Sequence, residues 1–172
     1  MKNMWIAILL MIGVYSCGNG NTETKEEITA VTSTAEPAVA LPSFMVMDSE
    51  GKQFNLQDLK GKKVFVNLWA SWCPPCRAEM PSIQKLYEKT QGSNVAFVML
   101  ALDNDFKKSL QYMNTTGFLL PAYYPASPLP ELFNVPGIPA TFIFNEKGQL
   151  VRKIEGSDNY NTEEFVNLLT KN

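Results

Sequence analysis

The 172-residue chain carries 15 Lys and Arg against 17 Asp and Glu, a net charge of −2, with 45% hydrophobic and 19% charged residues. That balance describes a globular protein with one ordinary core, and no cluster of Lys and Arg marks nucleic acid as a partner. There is no histidine, which excludes His-based acid–base catalysis, Cys-His nucleophile pairs and imidazole ligation of zinc, copper or haem iron.

Lys2 precedes an apolar run from Met4 to Val14. At roughly 11 residues this run matches the core of a signal peptide and falls short of the ~20 that span a bilayer. Val14-Tyr15-Ser16-Cys17 follows and resembles a bacterial lipobox, in which the cysteine is acylated and becomes the mature N-terminus. Residues 1–16 are therefore expected to be a lipoprotein signal peptide, with Cys17 the lipidation site; a secretory signal cleaved elsewhere is the alternative. Residues 17–40 are polar and rich in Thr, Glu and Ala. They read as a flexible tether with a reach of roughly 25 Å. Three cysteines less one acylated leaves two, Cys73 and Cys76.

Residues 41–172 are expected to form the folded domain. Phe44 to Met47 and Lys52 to Phe54 flank Asp48-Ser49-Glu50-Gly51 as a hairpin, and Asn55 to Lys60 is a helical turn ended by Gly61. Lys63 to Trp69 is a buried strand. Arg77 to Gln91 carries Met80, Ile83, Leu86 and Tyr87 on one face of a helix. Val95 to Leu102 is a second apolar strand, and Phe106 to Thr116 a helix stopped by Gly117. A short strand at Ala122 to Tyr124 and a turn at Leu129 to Phe133 lead to a second hairpin, Ala140 to Asn145 and Gln149 to Glu155. Asn161, with Glu164 three residues on, predicts a capping box for a last helix that buries Phe165, Leu168 and Leu169. The order from Lys63 is β-α-β-α-ββα, so the chain is α/β with a right-handed crossover feeding a mixed sheet.

Trp72-Cys73-Pro74-Pro75-Cys76 lies where the first long strand turns into a helix. Two thiols three residues apart can close a small disulfide ring. Cys73 is expected to face solvent at the helix N-terminus, where free N–H groups and the macrodipole favour a thiolate. Cys76 lies a turn deeper and would resolve the mixed disulfide formed when that thiolate attacks. A purely structural bridge is the bland alternative, but so short a ring constrains little chain entropy. Zinc needs about four ligands and only two thiols are close, so neither metal nor cofactor is expected. Pro74 and Pro75 have no N–H to offer the thiolate, leaving that of Cys76 and the helix dipole. The reduction potential is therefore expected at the reducing end, below about −170 mV, of a scale running from about −120 to about −270 mV.

The segment Trp69-Ala70-Ser71-Trp72-Cys73-Pro74-Pro75-Cys76-Arg77-Ala78-Glu79-Met80-Pro81 closely resembles the active-site segment of TlpA/ResA-like thioredoxin-fold thiol-disulfide oxidoreductases. Gly137-Ile138-Pro139-Ala140-Thr141-Phe142 resembles their second hallmark, a cis-proline loop opposite the cysteines. The resemblance implies a thioredoxin fold, a central mixed sheet flanked by helices with an N-terminal β-hairpin extension. It implies catalytic Cys73 and Cys76 and a substrate surface of Trp72, Pro74, Pro75, Ile138 and Pro139, where a peptide could pair with Ile138 as an added strand. Thioredoxins carry a buried Asp where this chain has Asn67, and ResA-like members a Glu after the next strand, where it has Asp103-Asn104-Asp105. Asp103 or Asp105 is a candidate to take the Cys76 proton, with capping of the Phe106 helix the competing and favoured use. Arg77 and Glu79 read as solvated charges, and Trp69 as core.

These readings together describe a monomeric, lipid-anchored enzyme facing the periplasm. It would be reduced by a membrane electron donor and would reduce oxidised protein thiols, in cytochrome c maturation or disulfide repair. Two other classes remain: a thiol peroxidase, whose Thr three residues before the cysteine is poorly matched, and a metal- or haem-delivery protein, whose CxxxC and His ligands are missing.

Overall fold

The computed structural model describes residues 39–171, which fold around one seven-stranded sheet in the order β2-β1-β5-β4-β3-β6-β7. Hairpin strands β1 (Met45–Met47) and β2 (Gln53–Asn55) precede a 3-10 turn at Leu56–Leu59, capped by Asn55 and Asp58 in a reciprocal box. Then come β3 (Lys63–Trp69), α1 (Pro74–Lys89), β4 (Val95–Ala101), α2 (Phe106–Thr116) and β5 (Ala122–Pro125). A 3-10 turn at Glu131–Phe133, β6 (Ala140–Phe144), β7 (Leu150–Glu155) and α3 (Glu163–Thr170) complete the order. β3 pairs parallel with β4 and antiparallel with β6, so the crossover through α1 brings both neighbours to the strand that leads into the cysteines. The fold is the mixed α/β, thioredoxin-like arrangement expected, with its N-terminal hairpin on the β5 edge.

Alternation along the strands sorts the core into two layers. Phe65 and Trp69 of β3 and Ile143 of β6 join Met80, Ile83 and Leu86 of α1, Met113 of α2 and Phe165 and Leu169 of α3. Val64, Val66 and Leu68 of β3 and Phe142 and Phe144 of β6 face the other way. That second layer is closed by Leu41, Phe44, Leu56 and Phe133, from the N-terminal segment and the two 3-10 turns. Lys63, at the start of β3, is 8% exposed and donates from Nζ to the carbonyls of Leu168 and Lys171, satisfying the C-terminal end of α3.

Two helix starts differ from the sequence expectation. α1 begins at Pro74, three residues before the expected start at Arg77, because Cys73 is its N-cap and the two prolines occupy positions whose N–H groups need no partner. α3 is capped by Thr162, not Asn161: the Thr162 side chain accepts from Phe165 N. Glu164 pairs instead with Arg152 at 2.8 Å, so the Asn161–Glu164 box does not form. The expected signal peptide, Cys17 and nearly all of the tether lie outside the described residues. No helix among the described residues is long and apolar enough to cross a membrane.

Phe142 is fully buried, with its ring centroid 5.0 Å from that of Phe133. Phe142→Ala should lower the unfolding free energy by about 3–5 kcal/mol in urea titrations of the oxidised protein, since the β-sheet beneath cannot collapse into the void.

Candidate active site

β3 delivers the chain at Trp69 into a tight turn in which Cys73 N donates to Ala70 O at 3.1 Å, and α1 follows at once. Cys73 and Cys76 form a disulfide. The one backbone donor that the prolines leave, Cys76 N, lies 3.2 Å from Cys73 Sγ. Across from it the Ile138-Pro139 peptide is cis, and the carbonyl oxygen of Ile138 lies 3.7 Å from Cys73 Sγ. The Pro139 carbonyl accepts from Gly156 N at 2.9 Å, which ties this loop to the residues after β7.

Cys73 is 2% exposed and does not face solvent as expected; Cys76 is fully buried. The closed ring draws Cys73 Sγ back over the helix and beneath the Ile138 carbonyl. The outermost position passes to Trp72, 65% exposed, with Pro74 and Pro75 exposed beside it, Ile138 half-buried and Pro139 buried. The residues expected to contact substrate thus share one end of the sheet, an apolar rim around a recessed disulfide. Trp69 is core, as its position on the inner face of β3 dictates.

The charge that sequence reasoning misplaced is Glu79. It is 3% exposed, not solvated. Its Oε1 accepts from Asn67 Nδ2 at 2.8 Å and its Oε2 from Asp158 N at 3.2 Å. Asn67 Nδ2 also donates to Thr141 Oγ1 at 2.9 Å, and Tyr160 OH lies 2.7 Å from the same oxygen. Burial raises the Glu79 pKa to about 7; the bonds from Asn67 and Asp158 N hold it down in part, and the nearby Asp158 charge adds to the rise. Burial also pushes the Tyr160 phenol up. A carboxyl that changes charge near neutrality, one helical turn past Cys76, is equipped to take a proton from that thiol. The signal was present in the sequence: a residue three past an inward-facing cysteine, beside inward-facing Met80, also faces inward.

The aspartates expected to take that role are engaged otherwise. Asp103 is 2% exposed. Its Oδ2 accepts from Ser71 N at 2.9 Å and Ser109 Oγ at 2.6 Å, and its Oδ1 from Ser71 Oγ at 2.6 Å. It therefore pins the turn before Cys73 to the first turns of α2. Asp105 is the N-cap of α2, accepting from Lys107 N at 3.0 Å. Arg77 is exposed, its guanidinium 5.6 Å from the Tyr112 ring centroid.

Glu79 makes stability depend on pH. Its folded pKa, about 7, exceeds its ordinary value of 4.5, so the folded chain keeps a proton that the unfolded chain releases. The stabilisation this gives is complete below pH 4.5 and is lost as pH rises through 7. Glu79→Gln removes the dependence. The stability of wild type relative to Glu79→Gln should fall by roughly 2–3 kcal/mol between pH 5 and pH 8 in urea titrations of the oxidised proteins. A difference that stays constant would show that the buried carboxyl does not titrate in this window.

The Redoxin family model matches residues 34–169 of the chain. The thiol-disulfide oxidoreductase ResA of Bacillus thuringiensis (strain Al Hakam) is 35% identical over 116 residues, 67% of each chain. The ResA of Bacillus subtilis (strain 168) is 29% identical over 145 residues, 84% of this chain and 80% of its own. Among solved structures, a thioredoxin-family thiol:disulfide interchange protein from Chlorobium tepidum TLS is 30% identical and covers 77% of this chain and 97% of its own, with a TM-score of 0.67. A thiol:disulfide interchange protein from Bacteroides sp. is 25% identical over 76% of this chain and 90% of its own, with a TM-score of 0.65. With a matching family model, matching relatives and a Cys73–Cys76 disulfide at the mouth of α1, the chain belongs to the Redoxin family as a ResA/TlpA-like thiol-disulfide oxidoreductase.

Proposed function

We propose that this thiol-disulfide oxidoreductase is a lipid-anchored, periplasm-facing reductase of protein disulfides. The observation that carries the reading is a Cys73–Cys76 disulfide at the start of a helix whose buried Glu79, one turn on, changes charge near neutrality. In the reduced protein Cys73 attacks a client disulfide as a thiolate; a Cys73–client bond forms and the client's other sulfur leaves with the electron pair. Glu79 takes the Cys76 proton, Cys76 attacks the Cys73 sulfur, and the client departs as a dithiol. The Trp72 and Pro74–Pro75 rim offers apolar contact, and the Ile138 backbone offers strand-like pairing to the client segment.

The reducing direction follows from what the thiolate lacks. Oxidants of this chemistry are strong because their reduced form is stabilised. Here no histidine exists, and among the described residues Cys76 N is the one N–H that reaches Cys73 Sγ. A donor of two electrons at the membrane would restore the dithiol, and the lipobox-like Val14 to Cys17 segment supports a position close to that donor. Oxidised cysteines of proteins awaiting haem attachment, or wrongly paired ones, are the clients this chemistry suits. A monomer meets both donor and client through the same rim. Peroxidase chemistry draws no support from the site, because the residue three before Cys73 is Ala70 and Ser71 is committed to Asp103.

The purified, reduced protein should reduce insulin disulfides; Cys73→Ser should abolish this, and Cys76→Ser should accumulate mixed disulfides with clients. Equilibration with glutathione should place the potential below about −170 mV. A higher value overturns the reducing direction while leaving the exchange chemistry intact. Expressed with its own N-terminus, the chain should fractionate with membranes and incorporate labelled palmitate, and Cys17→Ser should lose the label; an unlabelled wild type removes the anchor.

A further inference from the structure

Two buried side-chain polar atoms lack a hydrogen-bond partner among the described residues, Asn67 Oδ1 and Trp69 Nε1. They lie two residues apart on β3, on the face that α1 covers. A buried orphan acceptor such as Asn67 Oδ1 costs stability in the state that leaves it unpaired and so asks for a reason. The other half of the same amide is fully used, Nδ2 donating to both Glu79 and Thr141.

The disulfide state explains the orphan. Oxidised Cys76 has no S–H to give. Reduction creates one, on the residue one helical turn before Glu79 and on the same face of α1. The Asn67 amide, bonded to Glu79 one helical turn past Cys76, carries an unused acceptor of the kind a new S–H donor needs.

We propose that Asn67 is a positioning residue that reverses its side-chain amide as the proton passes between Cys76 and Glu79. With Glu79 ionised and Cys76 protonated, Nδ2 donates to the carboxylate and Oδ1 accepts from the Cys76 S–H. With the proton on Glu79, Oδ1 accepts from the carboxylic O–H and Nδ2 turns to the Cys76 sulfur, a thiolate during exchange and a thiol at pH 5. In both arrangements the charged partner receives an N–H donor and the neutral one an acceptor, so neither is left as an unsatisfied buried charge. Asn67 itself gains and loses no proton. The S–H bond of Cys76 breaks and the O–H bond of Glu79 forms; the thiolate then attacks Cys73, and the client sulfur leaves with the electron pair. The Glu79 proton goes to the departing thiolate or to water. Thr141 follows the turn by rotating its hydroxyl, accepting from Nδ2 in one arrangement and donating to Oδ1 in the other.

The titratable groups facing Glu79 are Cys76 on its own helix and Asp158 and Tyr160 from the segment after β7. β3 and β6 present only Asn67 and Thr141, which do not ionise, and no cation pairs with Glu79 among the described residues. Glu79 is then the group whose titration the amide follows. This inference rests on the reading of Glu79 as proton acceptor.

The test uses protein labelled with 15N at asparagine, reduced, between pH 5 and 9. The Asn67 Nδ2 resonance should titrate with the same midpoint as the Glu79 carboxyl carbon. Its cross-relaxation to the Thr141 side chain should be strong at pH 9 and fall at least threefold at pH 5. An amide whose shift and contacts stay constant across that range overturns the proposal. Single-turnover kinetics give a second measure: in Asn67→Leu, resolution of a Cys73 mixed disulfide by Cys76 should slow about tenfold relative to the first attack, with a flattened pH profile. If Glu79→Gln leaves the wild-type profile intact, the proton-acceptor reading itself fails. If Glu79→Gln flattens the profile but Asn67→Leu resolves at the wild-type rate, only the role of Asn67 falls.

Discussion

The bond from Asn67 Nδ2 to Glu79 Oε1 joins the helix that carries the dithiol to the strand that delivers it. Around that bond the sheet supplies Thr141 from the strand next to the cis-proline loop, and the segment after β7 supplies Asp158 N. Two stretches of chain thus donate to the carboxyl directly, and Thr141 holds one of the donors in place. Desolvation makes its ionised form expensive, and two donors bring the cost back to where the group titrates near neutrality. A deeper burial without donors would lock the acid neutral; a solvated position would leave it always charged. Neither would accept and return a proton during exchange.

The sulfur end of the site is built by subtraction. Consecutive prolines start α1 without cost because the first helical N–H groups have no intrahelical partner. The same pair of prolines removes donors from the neighbourhood of Cys73, so that among the described residues Cys76 N is the one N–H donor at its sulfur. A weakly stabilised thiolate is a strong electron donor in equilibrium terms, so one local choice starts the helix and supports the reducing direction proposed above.

Rigidity around the ring comes from Asp103. Three hydrogen bonds from Ser71 and Ser109 hold the turn before Cys73 against α2, and the Pro139 carbonyl is held by Gly156 N. Opening and closing the disulfide can then proceed within a fixed frame. Trp72 and the exposed prolines sit on the outside of that frame, where they are free to meet a partner.

The elements of the fold were legible because the local signals are strong. The run from Lys63 to Trp69 and the stop at Gly117 each impose a backbone shape through their own covalent and steric character, while the Ile138-Pro139 bond adopts the cis form that only the motif's resemblance implied. The Cys73–Cys76 pair was legible for the same reason, since a spacing of three at a helix start already brings the sulfurs together. Helical spacing from Cys76 could have placed Glu79 on the inner face, but which acid is left unclaimed to serve the thiols was not written in the sequence. Asp103, Asp105 and Glu79 are all acids close to the active-site segment, and their chemistry in isolation is the same. Packing distinguishes them: Asp103 is claimed by two serines, Asp105 by the cap of α2, and Glu79 is carried under the sheet by the helical turn that also carries Cys76. Likewise the burial of Cys73 depends on the Ile138 carbonyl, 65 residues away in the chain. Motif chemistry is a property of neighbours along the chain. Charge state and access are properties of neighbours in space, and only the folded arrangement brings those together.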